Sequence, residues 1–238
     1  MLLSAVLVLS LSALVSGTAC PIAQNRKCDS ITRACCEASF ERFLNISSTC
    51  NGGSIMSNPK CKRAQIQGEY FSKGTPGVLQ VCDGFSQLRS CLGKSVVACT
   101  TEAYYIENNL DSVANAQAIQ ALYTELNFIC GAGMDTFLNN DQCMSQVFVN
   151  NKTYIEQCRT QFINNINADP ELACRWEEEL LECIQKPFDG CNLEAGWWAC
   201  ELERVIVGTW LPGCTQQCSM SQKANIGSFV KKNLPQKH

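Results

Sequence analysis

Histidine is nearly absent from this chain, and the single one, His238, is the last residue. That leaves the body of the protein without the commonest general base and the commonest metal ligand. Charge is also scarce. Acidic and basic residues make up only 17%, and the net charge of −3 supplies no steering field toward nucleic acid or an anionic membrane. There is no G-x-S-x-G nucleophile elbow, no P-loop and no C-x2-C pair. The one C-x3-C is Cys214 and Cys218, and zinc sites favour closer pairs together with histidine. No stretch alternates apolar and polar residues for long enough to mark a strand. Beyond the N-terminus no run is apolar enough to span a bilayer, and the polar C-terminus argues against a lipid-linked anchor. Histidine-based catalysis, zinc ribbons and nucleotide-binding folds are set aside on these grounds. No cofactor, no metal and no nucleic-acid partner is expected.

Cysteine is abundant. The chain has eighteen in 238 residues, an even number, which implies a disulfide framework of up to nine bridges. The N-terminus fits an oxidising destination. Leu2 to Val15 is uncharged and apolar, and small residues follow at Ser16, Gly17, Thr18 and Ala19. A run of about fourteen is too short to cross a membrane and has signal-peptide form. Residues 1–19 are therefore expected to be a signal peptide. Cleavage after Gly17 or Ala19 would keep every cysteine, and the mature protein is expected to be secreted and extracellular.

The cysteines repeat. Cys82, Cys91 and Cys99 are spaced C-x8-C-x7-C, and Cys174, Cys183 and Cys191 have the same spacing at a constant offset of 92. Glu102-Ala103 and Tyr104-Tyr105 follow the first triplet. Glu194-Ala195 and Trp197-Trp198 follow the second. Upstream, Cys36, Cys50 and Cys61 match Cys130, Cys143 and Cys158 at offsets of 93 to 97, with Phe43-Leu44 echoed by Phe137-Leu138. Cys61-Lys62 and Ile66 agree in type with Cys158-Arg159 and Ile163. The expected organisation is an N-terminal extension with Cys20, Cys28 and Cys35 leading into repeat one (20–129), repeat two (130–218) and a basic flexible tail (219–238). Cys200, Cys214 and Cys218 fall outside the matched set.

The apolar pattern is helical. Cys36, Phe40, Phe43 and Leu44 share a face over 37–44. Ile119, Leu122, Leu126 and Ile129 form a stripe in a helix opened by Asp111 or Ser112. Asp169-Pro170 opens a helix through Ile184, and Trp197 to Trp210 carries Trp198, Leu202, Val205 and Ile206 inward. Asn58-Pro59 and the Gly/Pro-rich stretch 68–77 read as breaks, and Gly93 weakens the triplet helix. The fold class is all-α: a disulfide-stapled helical bundle built from two tandem cysteine-rich repeats. Helix geometry restricts the pairing. Cysteines nine apart on one helix are roughly 13 Å apart along its axis, beyond the roughly 7 Å Cα limit for a bridge. Cys82 thus cannot bond Cys91, nor Cys174 bond Cys183, and the adjacent Cys35 and Cys36 are expected to serve different partners.

The cysteine spacing and the apolar residues between the cysteines, from Leu79-Cys82-Leu88-Cys91-Cys99 through Phe128-Ile129-Cys130-Gly131 and Phe137-Leu138 to Cys143 and Cys158, resemble the insect hemolymph glycoproteins of about 27 kDa. They also resemble secreted cysteine-rich nematode domains of unknown function. The similarity spans residues 36–218. It implies an extracellular, helical, disulfide-rich, non-enzymatic protein and offers no catalytic residue.

Few other residues invite chemistry. Cys35-Cys36 is similar to the paired cysteines of secreted phospholipases, but Glu37-Ala38-Ser39-Phe40 stands where the histidine and aspartate belong. Glu177, Glu178, Glu179 and Glu182 cluster on one helix, with Glu201 and Glu203 on the next. A carboxylate hydrolase would need two of them facing one cleft, and a solvated helix face is the simpler reading. The Trp and Tyr pairs read as core. Asn45-Ile46-Ser47 and Asn151-Lys152-Thr153 are glycosylation sequons. The expected role is a non-catalytic extracellular interaction or structural protein with a protein or matrix partner. The alternative is a carrier of small apolar ligands.

Overall fold

The computed structural model describes residues 20–220 apart from 24, 47, 49, 51–54, 56 and 109–111. The expected signal peptide lies outside these residues, as does the basic tail from residue 221 onward. The fold is all-α, with no strand among the described residues.

Helix α1 (Ser30–Phe43) begins earlier than the apolar face suggested, because the Asp29 carboxylate caps it, accepting from the Thr32 N–H at 2.7 Å. Asn58-Pro59 is a boundary, as the sequence suggested, and it also starts a helix. Asn58 accepts from the Cys61 N–H and Pro59 occupies the first turn of α2 (Pro59–Lys73). The stretch 68–77 is a correction. Gly68 lies inside α2, and Pro76 and Gly77 lie in the first turn of α3 (Thr75–Leu92). The break is Gly74 alone, at φ +61°, a conformation that favours glycine. Gly77 is needed for a different reason. A Cβ there would sit 2.0 Å from the Glu69 carbonyl, so glycine lets α2 and α3 approach.

Gly93, at φ +53°, ends α3 outright, and a 3₁₀ turn (Gly93–Ser95) leads into the short α4 (Val96–Cys99). Then come α5 (Glu102–Glu107) and α6 (Val113–Ile129), which Ser112 caps. The second half contains α7 (Met134–Asn150), α8 (Lys152–Ala168), a 3₁₀ turn at Pro170–Leu172, α9 (Ala173–Phe188) and α10 (Leu193–Val207), the last capped by Asn192. The bundle forms around α6. Its Ala116, Ile119, Leu122, Leu126 and Ile129 are fully buried, and it packs against α2, α3, α5, α7 and α10. One apolar cluster runs from Cys36 to Val207 through both halves.

Nine bridges hold the helices, at Cα separations of 4.9 to 5.9 Å. In the first half, Cys36–Cys91 joins α1 to α3. Cys28–Cys99 joins the segment before α1 to α4, and Cys82–Cys130 joins α3 to the end of α6. In the second half, Cys158–Cys183 joins α8 to α9. Cys143–Cys191 joins α7 to the turn after α9, and Cys174–Cys214 joins α9 to the C-terminal segment. Cys20–Cys35, Cys50–Cys61 and Cys200–Cys218 complete the set. As helix geometry required, no bridge links two cysteines of one triplet, and Cys35 and Cys36 take different partners. The upstream matches fare differently. Cys36 and Cys130, Cys50 and Cys143, and Cys61 and Cys158 do not share connectivity, and Cys82–Cys130 crosses the expected boundary at 129/130.

Candidate functional site

All eighteen cysteines are bonded, so each expected disulfide residue is a crosslink. Asn45 is exposed, in the left-handed turn that closes α1 (φ +58°); Ser47 of its sequon lies outside the described residues. Asn151 is half-buried at the junction of α7 and α8, and Thr153 is exposed.

The aromatic pairs after the triplets belong to the core. Tyr105 and Trp198 are fully buried, while their neighbours Tyr104 and Trp197 are half-buried. The Tyr105 hydroxyl donates to the Cys99 carbonyl at 2.7 Å, and the Trp198 indole N–H donates to the Gly133 carbonyl at 2.7 Å. Trp198 also contacts the rings of Phe128, Phe137 and Phe148. Burial holds the Tyr105 hydroxyl well above the usual phenol range, and the carboxylate of Glu37 adds to the rise.

The acids of α9 and α10 divide by environment. Glu203 is buried against Arg159, whose Nη2 is 2.8 Å from Oε2. Burial opposes ionisation of Glu203, but Arg159 overrides it and holds the carboxyl below its usual range. Glu201 pairs with Arg204, and Glu179 with Arg175. Glu177 is buried with its Oε2 lacking a hydrogen-bond partner; burial raises its carboxyl above the usual range, although Arg204 pulls the other way.

Glu178 and Glu182, one helical turn apart, line a cleft of about 350 Å³. Lys186 and Asp189 extend its wall, and Gln216 and Gln217 close the far side. Two bridges, Cys174–Cys214 and Cys200–Cys218, hold that C-terminal segment in place, and the Gln216 amide donates to the Cys174 carbonyl at 3.1 Å. This cleft, whose wall also includes Leu181 and Leu193, is the candidate interaction site. Its glutamates were visible as a cluster in the sequence. Gln216 and Gln217 were not, and only the flanking Cys214 and Cys218 signalled that the segment is tied down.

A second set of charged residues escaped the sequence. Lys62 is fully buried, and its Nζ donates to Glu41 and to the Ile46 carbonyl, each at 3.0 Å. Arg33 pairs with Glu37, which also accepts from the Tyr123 hydroxyl at 2.9 Å. Glu125 on α6 accepts from Arg63, Tyr70 and Gln67. Arg63 and Glu125 lie close enough to the Arg159–Glu203 pair to act on it electrostatically. Each acid of this set faces a cation inside the protein, although Arg33 Nε, Glu41 Oε1 and Arg63 Nη2 find no hydrogen-bond partner; the pairs act as fasteners rather than open sites. The agreement in type between Cys61-Lys62 and Cys158-Arg159 was the available hint.

No family model, no curated protein and no solved structure matches this chain.

Proposed function

We propose that the chain is a secreted, non-catalytic glycoprotein that binds an extracellular protein or matrix partner, and that it consists of a duplicated disulfide module. The observation that carries the extracellular reading is the complete pairing of eighteen cysteines, since such a framework persists in oxidising compartments. No helix of the described residues is long and apolar enough to cross a membrane. The duplication is supported by bridge order. In each half the first cysteine of the triplet bonds downstream, the second bonds the nearer upstream cysteine and the third bonds a farther one. The matching sets are then Cys28, Cys36 and Cys130 against Cys143, Cys158 and Cys214.

A non-catalytic role fits the charge pairing, because Glu37, Glu41, Glu125 and Glu203 each face a cation. The acids on the cleft adjoin Lys186 and glutamines and serve recognition in this reading. Carriage of small apolar ligands was motivated by aromatic helix faces. Those rings pack on one another, so no observation favours it.

The test is expression with its leader in cultured eukaryotic cells. The protein should reach the medium and lose mass on glycosidase treatment, and the loss should vanish in Asn45→Gln/Asn151→Gln. Crosslinking in native extracellular fluid should then yield a partner that Glu178→Lys/Glu182→Lys fails to capture. Retention in the cell, or no partner sensitive to the cleft, would count against the reading.

A further inference from the structure

Sulfurs of two different bridges meet beside one cleft. The Sγ atoms of Cys20, Cys36 and Cys91 all lie within 4.8 Å of one another, although Cys20 is bonded to Cys35, and Cys36 to Cys91. Among the described residues no other cysteine sulfurs meet in a group of three. As thiolates they would make a metal site, but a sulfur in a disulfide is not a thiolate ligand. The adjoining cleft, about 340 Å³, is lined by Cys20, Cys36, Cys91, Ser39 and Ser90 among others. Cys36 is fully buried, whereas Cys20, Cys35 and Cys91 are half-buried, so solvent reaches the Cys20–Cys35 bond first. The Ser39 hydroxyl lies 3.6 Å from Cys20 Sγ, where it can donate to a thiolate.

We propose that these four cysteines form a thiol-exchange site at which a low-molecular-weight thiol catalyses a swap of bridges. The thiolate attacks Cys35 Sγ, forms a mixed disulfide there and expels the Cys20 thiolate. Cys20 attacks Cys36 Sγ, forms Cys20–Cys36 and expels the Cys91 thiolate. Cys91 attacks Cys35 Sγ in the mixed disulfide, forms Cys35–Cys91 and returns the free thiol. Each step makes one S–S bond and breaks one, and no net oxidation or reduction occurs. Both pairings tie the N-terminal segment to α1 and α1 to α3.

The test isolates one sulfur. Cys35→Ser leaves Cys20 without its partner, while Cys218→Ser does the same to Cys200, which has no third sulfur nearby. Each protein is held at mild alkaline pH, quenched with acid, alkylated in denaturant and mapped by mass spectrometry. In Cys35→Ser the label should be shared between Cys20 and the Cys36–Cys91 pair, with Cys91 read in a separate tryptic peptide. In Cys218→Ser it should stay on Cys200. Label confined to Cys20 would overturn the proposal. If Cys35→Ser is not secreted, the wild-type protein is treated with rising reduced glutathione until the first bridge opens. Fragmentation between Cys35 and Cys36 should then show a Cys35–Cys91 link. A first opening elsewhere would refute the site.

Discussion

The two halves share a bridge order and differ in what surrounds it. In the first half, α2 is inserted between α1 and α3, with its own local bridge Cys50–Cys61. In the second half α8 leads almost directly into α9. The residues after the first triplet form a short helix, α5, and a separate α6 follows, whereas those after the second run straight into the long α10. The first half buries Arg33–Glu37 and Lys62–Glu41, and the second turns Glu178, Glu179 and Glu182 outward. The bridge pattern therefore fixes how helices are tied, and the segments between cysteines differ in the two halves. The inserted α2 makes the first half a fastener to the rest of the bundle. The second half offers the glutamate-lined cleft, whereas the clefts of the first half lie beside its bridges.

The comparison breaks first at the bridges. Cys28→Ser/Cys99→Ser opens a closure of 71 residues and Cys143→Ser/Cys191→Ser one of 48. Chain entropy assigns each about 4 kcal/mol, because the dependence on loop length is logarithmic. Calorimetry should show nearly equal losses, roughly 10 °C in Tm. Strongly unequal losses would mean that the shared order is not a shared function. The local Cys50–Cys61 bridge, closing 11 residues, should cost about 3 kcal/mol or less.

The buried aromatics come next. Trp198→Ala should destabilise by about 4 kcal/mol, since it removes a side chain packed on three Phe rings and its bond to Gly133. Tyr105→Ala should cost about 3 kcal/mol, and Tyr105→Phe only about 1 kcal/mol for the bond to Cys99. Denaturant midpoints would reveal whether the two positions are equivalent anchors.

These positions were legible because their signals are local. Periodicity exposed the buried stripe of α6, and spacing within a helix forbade bonds inside the triplets. The cysteine matches upstream of Cys82 were legible only as offsets, and offsets misled. Residues 44–74 contain a complete extra helix with two cysteines of its own, which drew Cys50 and Cys61 into correspondence with Cys143 and Cys158. The loop expected over 68–77 failed for a related reason. Proline and glycine at a helix start look in sequence like proline and glycine in a loop, and only the close approach at Gly77 separates the two. Ile66 and Ile163 match in type, yet one is fully buried and the other is 43% exposed. The cleft depends on a C-terminal segment placed by long-range bridges, which no local pattern announces.

The coupled pairs Arg63–Glu125 and Arg159–Glu203 sharpen the comparison further, since each half contributes one of them. Arg159→Leu leaves Glu203 buried without its partner and should cost about 3 kcal/mol. Arg63→Leu removes the cation facing Glu125 but keeps its bonds from Tyr70 and Gln67, so it should cost less. Because the pairs act on each other, the double variant should depart from additivity, and a double-mutant cycle reads that coupling. Glu203 has a depressed carboxyl, so its contribution is present above the unfolded carboxylate range and is lost as pH falls through the folded value.

Glu177 carries the opposite sign. Its carboxyl is raised by burial, so the folded state prefers it protonated. Its favourable contribution is complete below the unfolded value and is lost as pH rises through the folded one. Once ionised it is a buried charge with one unpartnered oxygen. Glu177→Gln removes the charge and keeps the shape. It should stabilise the protein by on the order of 1 kcal/mol at pH 7, and the gain should shrink as pH falls and the native glutamate takes up its proton. Melting curves of both proteins from pH 7 downward decide it. Equal stability at pH 7 would mean that Arg204 compensates the charge fully, and that the second half, like the first, buries only matched acids.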